Sequence, residues 1–106
     1  MKEIIKILNV TSSFIQVEET DRNKNDIKWA DILKVMVESN DLGSFENDLN
    51  LILFTIKDKI VIPMNLDNFK DFLEFLQKSL PGFDNNEFIK AMSSHGNALF
   101  EIWNKH

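Results

Sequence analysis

LNLILFTIKDKIVIPMNLDNFKDFLEFLQKSLPG, residues 49–82, carries the change of period that decides the fold. Leu49–Ile56 and Lys59–Ile62 read as a strand pair turned through Lys57-Asp58-Lys59. Leu51 to Phe54 are all apolar, which predicts a central strand buried on both faces. The period then shifts. Leu66, Phe69, Phe72, Leu73, Leu76 and Leu80 recur at three- and four-residue intervals, with Asp67, Lys70, Asp71, Glu74, Gln77 and Lys78 filling the other face. That spacing predicts an amphipathic helix over Asp67–Leu80, about four turns long, with Asn65 or Asp67 as its N-cap. Phe75 lies at the edge of the apolar stripe and is expected to be partly exposed. Pro81-Gly82 stops the helix, because proline cannot continue the hydrogen-bond ladder and glycine accepts the left-handed cap.

Toward the C-terminus, Asp84-Asn85-Asn86-Glu87 has the spacing of a capping box with Asp at the cap. A second, shorter helix carrying Phe88, Ile89 and Met92 is expected, ending near Ser93–Gly96. Ala98–Trp103 reads either as a last strand or as a tail packed on the core. Toward the N-terminus, Ile4–Val10 and Ser13–Glu18 lean to strand. Thr20–Asp26 has no apolar residue and reads as an exposed loop. Ile27–Val37 has apolar spacing that suits a helix, but Ile32, Val35 and Val37 are β-branched and stiff at χ1, which favours a strand. Glu38–Asp48 reads as a polar hairpin loop around Gly43. The fold class expected is α+β: a curved antiparallel sheet of about five or six strands, covered by the Asp67–Leu80 helix, with a second short C-terminal helix.

The 106 residues suit one domain, since domains most often run to about 100–150 residues. Hydrophobic residues at 43% and charged residues at 27% match an ordered globular chain. Cysteine is absent, which removes disulfides, thiol nucleophiles and cysteine-held metal centres together. Twelve basic against seventeen acidic residues give a net charge of −5, and the lysines are dispersed, so a nucleic-acid partner is not expected. No apolar run approaches the ~20 residues of a membrane span, and MKEIIKILNV lacks the pattern of a signal peptide, so the cytoplasm is the default compartment.

Motifs for chemistry are few. Ser93-Ser94-His95-Gly96 sets a serine beside a histidine, but it reads as a polar helix end, and no G-x-S-x-G elbow is present. No P-loop, G-x-G-x-x-G or calcium-loop pattern occurs, and neither a cofactor nor a metal nor an enzyme activity is expected. Asp31, between Trp29 and Ile32, stands at an expected strand start. The candidate recognition residues lie in the two polar segments: Asp21 and Asp26 in the first, then Asp41, Glu46 and Asp48 around Phe45 in the second. A large aromatic in a polar loop either caps the core or contacts a partner. Ringed by carboxylates, it suits a basic protein, because the ring buries area at low entropic cost and the acids steer encounter.

Taken together, Trp29-Ala30-Asp31-Ile32, Asp41, Asp48–Leu53, Leu80-Pro81-Gly82-Phe83, Asn97 and Trp103 resemble a group of small bacterial proteins similar to pleckstrin-homology-like domains. The likeness spans Ile27–Trp103. Ser93-Ser94-His95-Gly96 departs from it, standing where such proteins tend to carry Pro and Phe before the Asn. The resemblance implies a bent antiparallel sheet closed by a helix, no enzyme activity, and a role as an interaction module or immunity protein that neutralises a partner toxin. The alternative is a domain that binds a small molecule or lipid.

Overall fold

The computed structural model describes residues 2–41, 47–93 and 97–105, and their side chains save those of residues 2, 41, 47 and 48. The strands are β1 (Lys2–Val10), β2 (Phe14–Glu19), β3 (Lys24–Lys28), β4 (Ile32–Asp41), β5 (Asn47–Thr55), β6 (Lys59–Pro63) and β7 (Ala98–Asn104). Between β6 and β7 come α1 (Phe69–Ser79) and α2 (Asn85–Met92). The architecture is α+β, with one open sheet in the order β3-β2-β1-β6-β5-β4-β7.

Two antiparallel meanders, β1-β2-β3 and β4-β5-β6, arise from local hairpins. They join through β1 and β6, which run parallel, Lys2 beside Ile60 and Glu3 beside Val61. The sheet is therefore mixed and seven-stranded, not antiparallel with five or six strands. The expectation failed at the seam because pairing between residues about sixty positions apart leaves no periodic mark on either strand. β7 returns after the helices and adds antiparallel to β4, from Ser39↔Ala98 to Lys34↔Asn104, which settles its reading as a strand.

Alternation buries one face of β2 and of β4 from Val35 onward. Ile4, Ile7, Ile15, Val17, Val35, Val37, Leu51, Leu53, Ile60 and Ile62 point into a common core, closed by Phe69, Phe72 and Leu76 of α1 and by Phe88 and Ala91 of α2. Trp29 stacks on Phe72, with ring centroids 6.3 Å apart, and Phe69 meets Phe72 edge-on at 5.7 Å. β5 is buried on both faces as its sequence requires: Leu51 and Leu53 face the core, while Ile52 lies on the far side at 2% exposure between Met36 and Val61. Beside it, Lys34 and Lys59 hold their ammonium groups 4.8 and 6.0 Å from the centre of the Phe54 ring. These long side chains shelter the apolar row behind them.

Helix α1 is shorter than Asp67–Leu80, and its cap position is Asn68, not Asn65 or Asp67. The Asn68 side chain does not cap the helix. Its Nδ2 donates to the Ile7 carbonyl at 2.8 Å, fastening the helix start to β1. Gly82, at φ +83°, takes the left-handed conformation after the helix that favours glycine. Asp84 then caps α2 by accepting from the Glu87 N–H at 3.0 Å, the capping interaction its spacing predicts.

Three other boundaries move. Thr20–Asp26 is not all loop: Lys24–Lys28 forms an edge strand whose polarity reflects its position at the sheet border. Ile27–Val37 is not one strand. A 3-10 turn, Trp29–Asp31, interrupts it where the Trp29 indole drops inward and donates to the Thr11 carbonyl at 2.8 Å. Glu38–Asp48 is not a single loop either, since the ladder continues to Asp41↔Asn47.

Candidate functional site

The strand directions decide which candidate residues meet. β4 runs from Ile32 to Asp41 and β5 returns from Asn47 to Thr55. Asp41 and Asp48 therefore lie at one end of this hairpin, with backbone pairs Asp41↔Asn47 and Asn40↔Asp48. Phe45 and Glu46 lie outside the described residues. Asp21 and Asp26 belong to the opposite end. Glu19 pairs with Ile4, and the Thr20 N–H donates to the Glu3 carbonyl, which brings the β2–β3 turn to the start of β1. The start of β1 lies beside the start of β6, near Thr55. Along β5, the seven steps from Asp48 to Thr55 span roughly 23 Å. The four described residues of the six expected to form one surface are thus divided between two ends of the sheet.

Asp21 has local work. Its carboxylate accepts from the Asn23 backbone N–H at 3.0 Å and from Asn23 Nδ2 at 2.8 Å. This Asx-type turn holds Arg22 at φ 72°, a left-handed conformation uncommon for a residue with a side chain. Asp26, by contrast, lines an open groove of about 450 Å³ together with Asp31, Ile56, Lys57 and Asp58.

The groove owes its shape to the β5–β6 turn. The Thr55 N–H donates to the Asp58 carbonyl at 2.9 Å, and the Asp58 N–H donates back to Thr55 Oγ1 at 3.0 Å. That reciprocal clamp closes a tight turn with Ile56 inside it. Ile56 is left 83% exposed, the most exposed large apolar side chain among the described residues. Asp26 and Asp31 are exposed as well. An apolar knob thus stands among three carboxylates and one lysine at the Thr55 end of β5.

Sequence reasoning singled out Asp26 and Asp31 but passed over Ile56, counting it as the last residue of a buried strand. The available signal was the Thr-x-x-Asp spacing of Thr55 and Asp58, which marks a side-chain-closed turn and puts Ile56 at its tip. Among the described residues no group of His, Asp or Glu side chains is arranged to hold a metal ion, and no helix is long and apolar enough to cross a membrane. His95 lies outside the described residues. Comparison of the chain with protein-family models, with curated proteins and with solved structures found no match.

Proposed function

We propose that the chain is a non-enzymatic protein-interaction module that binds a basic protein through the Ile56 end of its sheet. Its setting is that of a bacterial cytoplasmic immunity protein, which neutralises a toxin by occupying it. The pleckstrin-homology-like resemblance of the sequence supports that setting. The observation that carries the reading is Ile56, 83% exposed on a clamped turn beside Asp26, Asp31 and Asp58. Desolvating such a side chain against a partner yields binding energy without ordering new backbone, since the hydrogen-bonded turn is already set. The carboxylates around it favour a partner of positive charge and speed encounter, making association sensitive to salt.

The test is capture with purified wild-type protein and with two variants, Ile56→Asp and the double variant Asp26→Lys/Asp31→Lys. All three positions are exposed, so the melting temperatures should agree within a few degrees. A basic protein retained by the wild type and lost by both variants, with growth rescue when that protein is toxic, is the expected result. A partner retained equally by all three proteins refutes the site. A retained partner that is harmless to the cell refutes the immunity role alone.

A further inference from the structure

The two tryptophans come together at the far end of α1. Trp29 arrives on the 3-10 turn and Trp103 on β7, and with Leu80 and Pro81 they line a groove of about 410 Å³. Trp29 and Leu80 are buried and form the floor, Trp103 is half-buried, and Pro81 is exposed at the rim. Both indole N–H groups already have backbone partners: Trp29 donates to Thr11 O at 2.8 Å and Trp103 to Pro81 O at 2.7 Å. The groove therefore offers ring surface without indole donors. A proline-rich segment, whose carbonyls need such donors, is poorly served here.

Among the described residues the polar side chains of the lining are Ser79, Asn104 and Lys105, and of these Lys105 is the one charged side chain. Its Nζ donates to the Ala30 carbonyl at 2.7 Å, which holds the ammonium at the rim and leaves further N–H donors on it. Asn104, next in the chain, also lines the groove and carries an amide donor. In a chain of net charge −5, the described lining joins an apolar floor to a cationic edge at Lys105.

We propose that the Trp29–Trp103 groove binds a small amphipathic carboxylate, its apolar body against the indoles and Leu80 and its carboxylate on Lys105 and Asn104. The charge complementarity selects an acid over a neutral or cationic amphiphile of the same length. This site is distinct from the Ile56 end and does not depend on the interaction reading.

The chain supplies its own reporter: it has two tryptophans and no tyrosine, and both tryptophans line this groove. Tryptophan emission is titrated with sodium decanoate below its micellar concentration, and in parallel with decanol and decyltrimethylammonium. A saturable change with decanoate is expected, roughly tenfold weaker with decanol and absent with the cation, because a hydrogen bond to a charged group is lost. Lys105→Gln should weaken decanoate by about tenfold and leave decanol unchanged, while Lys105→Arg keeps the preference for the acid. Melting curves of both variants should overlay the wild type, since Lys105 is exposed. No saturable response to millimolar decanoate overturns the proposal, and so does an equal response to all three amphiphiles. A decanoate response untouched by Lys105→Gln removes the site from this groove.

Discussion

Phe72→Ala tests the packing of α1 on the sheet. The Phe72 ring is fully buried, stacked 15° from parallel on Trp29 and met edge-on by Phe69. Truncating a buried Phe costs about 3–5 kcal/mol, because the transfer energy is lost and a cavity remains. Two aromatic contacts vanish with it, each worth about 0.5–1.5 kcal/mol beyond the area it covers, so the cost should fall near the middle of that range or above, about 4 kcal/mol. With an unfolding entropy of ~2.1 cal/mol/K per residue, a chain of 106 residues should melt about 18 °C lower. The assay is thermal unfolding followed by circular dichroism, with tryptophan emission as a second probe, since Trp29 loses its stacking partner. Phe75→Ala is the control: three residues along the same helix but 38% exposed, it should cost under about 1 kcal/mol. Equal melting temperatures for the two variants would refute the helix orientation. A drop of less than about 5 °C for Phe72→Ala would refute the buried aromatic cluster.

Other expectations are smaller. Asp84→Ala removes the cap of α2 and should lower stability by about 1 kcal/mol, whereas Asp84→Ser should restore most of it, as read by chemical denaturation. Asn68→Ala deprives the Ile7 carbonyl of its side-chain donor and should cost about 1–2 kcal/mol; an unchanged melt would show that the tie between α1 and β1 carries no weight. Double-stranded DNA should not be retained at physiological salt, given the net charge of −5, and a micromolar complex that weakens steeply with salt would contradict this.

What could be read from residues alone followed the range of the interaction. The helix stripe of Phe69, Phe72 and Leu76, the doubly buried run in β5 and the Asp84 cap are local patterns, and each is found in place. Errors concentrated where neighbours in space decide the structure. Lys24–Lys28 is polar because it forms the border of the sheet, not because it is loop. Ser39 is polar yet fully buried, on β4 between β5 and β7. Polarity alone misreads both cases. Asp26 and Asp48 look equivalent in sequence, and only the strand directions show that Asp26, on β3, lines the groove at the Thr55 end of β5 while Asp48 stands at its other end.

The parallel seam between β1 and β6 has a kinetic and mechanical consequence. Each meander can zip up from its own hairpins within a short stretch of chain, but the seam waits for the two to find one another across a long loop. Joining of the halves should therefore be the late, slow event in folding, with the hairpins forming ahead of it. The same line is where the sheet should part first on local opening, and amide exchange along Lys2–Glu3 and Ile60–Val61 should outpace that in the middle of β4 and β5. A seam that opens while both meanders stay folded also permits exchange: β1–β3 of one molecule can dock on β6 of another, with the Trp29–Asp31 turn as the hinge. At high concentration the chain should accumulate such swapped dimers, and substitutions that stiffen this turn should suppress them.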